Sequence, residues 1–132
     1  MFANFDYTNF PIVHIRFNET IENDNDFNYF LKEWKSLNEK RENYELVFDT
    51  QNCGFINPKY CIYMAFFIKK LKKEKIKYLQ KSKIFVYNSY ILKLLKLIFY
   101  FETPIAPVEL ILKNNDNNDN TNNIEKREII NI

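Results

Sequence analysis

The chain has 132 residues, is 46% hydrophobic and 17% aromatic, and carries a formal net charge of +2. That length suits one domain with ample apolar material for a core, and 19 basic against 17 acidic residues exclude the chain-wide cationic signature of a polyanion binder. No apolar run reaches the roughly 18 residues of a membrane-spanning helix, and no basic segment leading into an apolar stretch opens the sequence as a secretory leader would. Cys53 and Cys61 lack metal-binding spacing, and the single histidine, His14, is remote from both. No metal or cofactor is therefore expected. Two free thiols in this setting imply a reducing, cytoplasmic location.

Residues 2–7 and the β-branched run 12–17 read as an opening hairpin, with Thr8, Asn9 and Pro11 in its turn. Phe27, Phe30, Leu31, Trp34 and Leu37 then recur at helical spacing. Asp24 and Asn25 are candidate caps, and the helix should end near residues 41–43. Residues 44–48 form a short apolar run closed by Asp49, and residues 84–87 a second one closed by Asn88 and Ser89. Each leads into a helical pattern, so strand, polar turn and helix alternate. The second helix should start with Asn57 as cap and Pro58 at its first position and reach about Lys75, and the third should run from Ser89 to about Phe101. Residues 105–112 return as a final strand, with Pro104 and Pro107 placing it at an edge or starting it after Pro107. Strands joined through helices must be parallel with right-handed crossovers. The reading is one α/β domain over residues 1–112, with a four- to five-stranded mixed sheet and three helices. The Asn- and Asp-rich stretch that follows, residues 113–132, reads as a disordered tail whose terminal isoleucines could dock weakly.

Lysines 69, 70, 72, 73, 75 and 77, with Lys81 and Lys83 beyond them, are the densest charge in the chain. They could bind nucleic-acid phosphate or an anionic membrane surface, although cations at a helix end and a solvated face produce the same pattern. The second and third helices are apolar nearly all round, as helices buried against a sheet are, with apolar surface to spare for a partner or a second copy of the chain. A thiol enzyme built on Cys53, His14 and Asp49 is a further alternative. It would need a base within reach of the thiol and an oxyanion donor beside it. With Gly54 the only glycine, nucleophile-elbow and phosphate-cradling loops are absent, and no enzymatic activity is expected.

The segment 49–60 joins a strand to a helix. Leu46-Val47-Phe48-Asp49-Thr50, followed by Cys53-Gly54-Phe55-Ile56-Asn57-Pro58-Lys59-Tyr60, resembles a degenerate form of the loop that enters a helix in the STAS family, the anti-sigma-factor-antagonist-like domains. Ile84-Phe85-Val86-Tyr87-Asn88-Ser89, with Ile91, Leu92, Leu94 and Leu95 after it, is similar to the next strand and leucine-bearing helix of that family. The resemblance implies helices largely on one side of the sheet and a regulatory, signalling role carried out by binding a protein partner or homodimerising. It directs attention to Thr50, Asn52, Phe55, Asn57, Pro58, Lys59, Tyr60 and Tyr63 as the partner-binding surface. The hydroxyl that family members phosphorylate aligns with Pro58 or Lys59, which removes that switch and leaves Thr50 and Ser89 as the nearest modifiable hydroxyls.

Overall fold

A computed structural model describes residues 2–113 and 126–130. The chain begins with β1 (Ala3–Asp6) antiparallel to β2 (Ile12–Glu19), Ala3 facing Phe17 and Asp6 facing His14. The Asp6 carboxylate holds the turn by accepting from the Thr8 amide at 2.9 Å and the Thr8 hydroxyl at 2.5 Å. Because side chains alternate along a strand, Val13 and Ile15 face one side of β2 and are buried, while His14 and Arg16 face the other and are exposed.

Helix α1 (Asp24–Glu39) is capped one residue earlier than the sequence pattern suggested: Asn23 Oδ1 accepts from the Asp26 amide at 3.0 Å. Asp24 and Asp26 then lie in the first turn, where a carboxylate complements the helix dipole. Its buried face is Phe27, Phe30, Trp34 and Leu37. Arg41, at φ 57°, turns the chain out of the helix and toward β3 (Tyr44–Cys53).

β3 is ten residues long, not the short run ending at Asp49 that the sequence suggested. Past Asp49 its side chains become polar, yet its backbone still pairs with β2, Asn52 against Asn18 and Cys53 against Glu19, beyond a register shift between Arg16 and Asn18. The ladder uses main-chain groups, so loss of apolar character did not end the strand. Helix α2 (Lys59–Lys72) follows, one residue later than expected, with Pro58 as its cap residue, while Asn57 Oδ1 accepts from the Lys59 amide at 3.0 Å. β4 (Leu79–Val86) leads through the Asn88 cap, whose Oδ1 accepts from the Ile91 amide at 2.9 Å, into α3 (Ser89–Phe101) as anticipated.

β5 (Val108–Leu112) starts directly after Pro107, and β6 (Lys126–Ile130) pairs antiparallel with it. The sheet therefore has six described strands rather than four or five, in the order β1-β2-β3-β4-β5-β6, with β2 to β5 mutually parallel. Of the two alternatives for the final strand, the start after Pro107 is the one seen; β6 takes the edge position, and residues 126–130 are sheet rather than disordered tail. The rest of that expected tail, residues 114–125 and 131–132, lies outside the described residues.

Each crossover moves one strand in the same direction, so connections of one hand stack all three helices on one face. That inner face carries Val13, Ile15, Leu46, Phe48, Ile84, Val86 and Leu110, and the helices pack Phe30, Trp34, Leu37, Met64, Ile68 and Leu94 onto it. The outer face presents Asp6, His14, Arg16, Glu45, Asp49, Lys83 and Glu109. Tyr44 carries its hydroxyl deep into the core. The residue is 1% exposed, accepts from Trp34 Nε1 at 3.2 Å and donates its hydroxyl to Asn38 Oδ1 at 2.5 Å.

Candidate functional site

Beyond Cys53 the chain leaves the sheet, and residues 54–58 cross the carboxyl ends of the strands to reach α2. Three residues distant in sequence fix this loop and the first turn of α2. The Thr20 hydroxyl donates to the Phe55 carbonyl, and the Tyr90 hydroxyl donates to the Ile56 carbonyl at 2.5 Å. The Phe55 ring stacks on Tyr90 with centroids 5.8 Å apart. Asp24, at the start of α1, accepts from the Tyr60 hydroxyl at 2.9 Å and pairs with Lys59 Nζ at 3.3 Å. These two donors, Tyr60 foremost, hold the Asp24 carboxyl below its usual range.

The residues singled out in the sequence divide by position. Phe55 (66% exposed), Asn57, Pro58, Lys59 and Tyr63 (43% exposed) face solvent on the loop and α2, and Asn52 is exposed near the end of β3. Thr50 and Tyr60 do not face solvent. Thr50 is 4% exposed and donates to the Phe85 carbonyl at 2.7 Å, tying β3 to β4, and Tyr60 is 5% exposed with its ring against Phe27 at 4.9 Å. These two shape the surface from beneath and do not form part of it. Of the two hydroxyls left for modification, Ser89 alone is exposed.

Sequence reasoning missed Ile62 and Phe66, which are 45% and 59% exposed. With Lys59, Tyr63 and Lys70 they lie at spacings of three and four along α2, one continuous outer stripe. The signal was present as a helix apolar all round, read as leaving apolar surface to spare for a partner without naming the residues that carry it; on α2 that surface is Ile62 and Phe66 beside Tyr63.

No protein-family model, curated protein or solved structure matches the chain.

The lysines do not form one surface. Lys69, Lys70, Lys73 and Lys75 are exposed around the end of α2, whereas Lys72 Nζ is engaged by Glu102 at 2.7 Å and by Thr103 Oγ1 at 2.7 Å. Lys77 donates to the Lys72 and Glu74 carbonyls, satisfying acceptors at the end of α2 as a C-terminal cation does. Lys81 and Lys83 lie on the outer face of β4 beside Glu45 and Val47, on the side of the sheet away from the helices. No described helix is long and apolar enough to cross a membrane.

The thiol and imidazole are also kept apart. His14 is on the outer face of β2, whereas Cys53 packs against the core beneath the helices. The sheet lies between them, so the imidazole cannot act as base toward this thiol. Among the described residues no three His, Cys, Asp or Glu side chains converge as a metal site. Burial pushes the Cys53 thiol up to about 11 from 9.0, and burial raises Cys61 as well. At pH 8 alkylation of Cys53 by iodoacetamide should accordingly run about a hundredfold slower than for a thiol of ordinary pKa, since only the thiolate reacts. The neutral thiol is the form the fold favours, so its contribution to stability is complete below pH 9 and is lost as pH rises through 11. Thermal midpoints measured from pH 8 to 11 should fall across that window.

Proposed function

We propose that this chain is a non-catalytic, intracellular interaction module of STAS-like type that docks a partner protein, or a second copy of itself, through the outer stripe of α2 and the adjoining loop. One observation carries the reading: Ile62, Tyr63 and Phe66 stand 43–59% exposed on a single helix face, continuous with Lys59 and preceded by the exposed Phe55. An apolar stripe with polar ends matches the layout of a protein interface, an apolar centre within a polar rim. The loop supports it further, because a platform already pinned by Thr20, Asp24 and Tyr90 loses little conformational entropy on binding. The STAS likeness rests on the order of elements, on one-sided helices and on the segments around Asp49 and Asn88, and proteins of that family work by binding other proteins.

Phe66→Ser and Tyr63→Ala test the reading. Both positions are exposed, so each variant should keep wild-type stability to within about 0.5 kcal/mol. Aromatic anchors near the centre of an interface typically cost 2 kcal/mol or more on truncation. Pull-down from the native host, together with sedimentation for self-association, should therefore show partner recovery or dimer affinity falling at least tenfold in one variant. Unchanged recovery and unchanged sedimentation with both would move the site off α2.

A further inference from the structure

Behind the docking stripe, between the inner face of the sheet and the helices, lies a partly open cavity of about 140 Å³. Protein interiors are packed as closely as organic crystals and hold few voids larger than a water molecule. This one is near the roughly 150 Å³ of an apolar cavity known to stay dry and to admit benzene.

Its lining narrows the ligand class. No Asp, Glu, Lys, Arg or His side chain lines it, so a charged ligand would be buried without a counter-charge, at prohibitive cost. Its few polar groups are mostly committed: the Thr50 hydroxyl donates to the Phe85 carbonyl and the Cys61 thiol to the Leu94 carbonyl. The Ser82 hydroxyl, on a residue 4% exposed, and the Cys53 thiol, on a half-buried residue, are the remaining ones. A stable buried water needs two to four polar partners, which this lining does not provide. One wall is a cluster of rings: Phe17 stacks parallel to Phe48 at 5.8 Å, Phe30 meets Phe17 edge-on at 5.3 Å, and Trp34 tilts over Phe48 at 5.8 Å. Such a wall offers both faces and edges, the two surfaces another aromatic ring prefers.

We propose that the cavity binds a small uncharged molecule built on one aromatic ring, carrying at most one hydrogen-bonding group, which Ser82 receives. At the carboxyl ends of the strands it is lined by Ile21, Cys53 and Ile56, which are half-buried, as are Leu95, Ile98 and Phe99 of α3 elsewhere along it. Ligands of open α/β sheets enter at that end. The loop over it is held to its neighbours by the exposed hydrogen bonds from Thr20 and Tyr90. Ligand uptake and docking on α2 are therefore separate properties of the molecule, and either can fail without the other.

Trp34, the only tryptophan in the chain, lines the cavity and reports on its contents. The full chain is titrated with benzene, phenol and benzoate while thermal midpoint and tryptophan emission are followed. Benzene and phenol should raise the midpoint and change the emission saturably, phenol binding about fivefold tighter, and benzoate should do neither. Ser82→Ala should abolish the preference for phenol and keep benzene binding. Ser82→Leu, which fills the space, should weaken both at least tenfold. If Ser82→Leu does not fold, the wild-type titrations still decide. Absence of any saturable response to benzene and phenol, or an equal response to benzoate, overturns the site. A phenol preference that survives in Ser82→Ala overturns the role of Ser82.

Discussion

Replacing Trp34 by Ala should cost about 3–5 kcal/mol, the range for deleting a large buried ring, out of a total of about 5–15 kcal/mol for a domain of this size. Three contributions are lost together: the ring contacts with Phe30, Phe48 and Phe67 at 5.2–5.9 Å, the bond from Nε1 to the Tyr44 hydroxyl, and the Trp34 share of the packing of α1 onto the sheet. Denaturant unfolding should show a lower midpoint with little change in slope. Two milder variants separate the contributions. Trp34→Phe retains a ring and loses the donor. Tyr44→Phe keeps its ring in place but strands both the indole N–H and Asn38 Oδ1, and leaving buried groups unsatisfied costs about 1–3 kcal/mol. The double variant should lose less than the sum of the two, because they share one hydrogen bond. Strict additivity would mean that the bond contributes nothing in solution.

What could be read from the chain follows from which signals are local. Helices α1 and α3 were legible because their apolar spacing, and for α3 the Asn88 cap, are short-range features. The parallel pairing followed from alternating strands and helices, and the start of β5 from Pro107. The full length of β3 was not legible: residues 49–53 are polar, and only pairing with β2, more than thirty residues earlier, extends the strand. β6 was missed for a related reason. Its alternation is weak and its partner lies across an Asn-rich stretch, so composition outweighed a pairing that only the assembled sheet provides.

At the candidate site the same limit applies more strongly. Asn57, Lys59 and Phe55 were found because a loop entering a helix carries its own signature, and Thr50 and Tyr60 were placed on the same surface because they flank that loop. The side chains of Thr50 and Tyr60 turn inward, toward Phe85 and Phe27, along contacts that span some 35 residues of sequence. Thr20, Asp24 and Tyr90 belong to the site only through bonds of similar span. The cavity was beyond sequence reading altogether, since a void is a property of how side chains fail to meet.

Ending the chain after Lys113 distinguishes an ordered β6 from a passive tail. A disordered extension could be removed without effect. β6 instead pairs along β5 from Val108 opposite Ile130 to Leu112 opposite Lys126. Ile111 shows what that pairing protects: it lies on the outer face, which no helix covers, yet is only 3% exposed, with Phe85 of β4 and Arg127 of β6 in register on either side. The strand's own net stabilisation should be modest, about 1–2 kcal/mol, because ordering five residues offsets much of what the ladder returns. The larger effect is on association. Without β6, Val108-Glu109-Leu110-Ile111-Leu112 becomes an unpaired edge, four of its five residues apolar, and a bare apolar edge is a template for pairing with another chain. The truncated protein should therefore oligomerise or precipitate at concentrations where the full chain remains dispersed, as light scattering against concentration would show. Placing Lys at Ile111 in the truncated chain should restore much of its solubility, because charge on an edge strand blocks such pairing. Equal dispersity and equal thermal midpoints for the full and truncated chains would remove β6 from the sheet in solution.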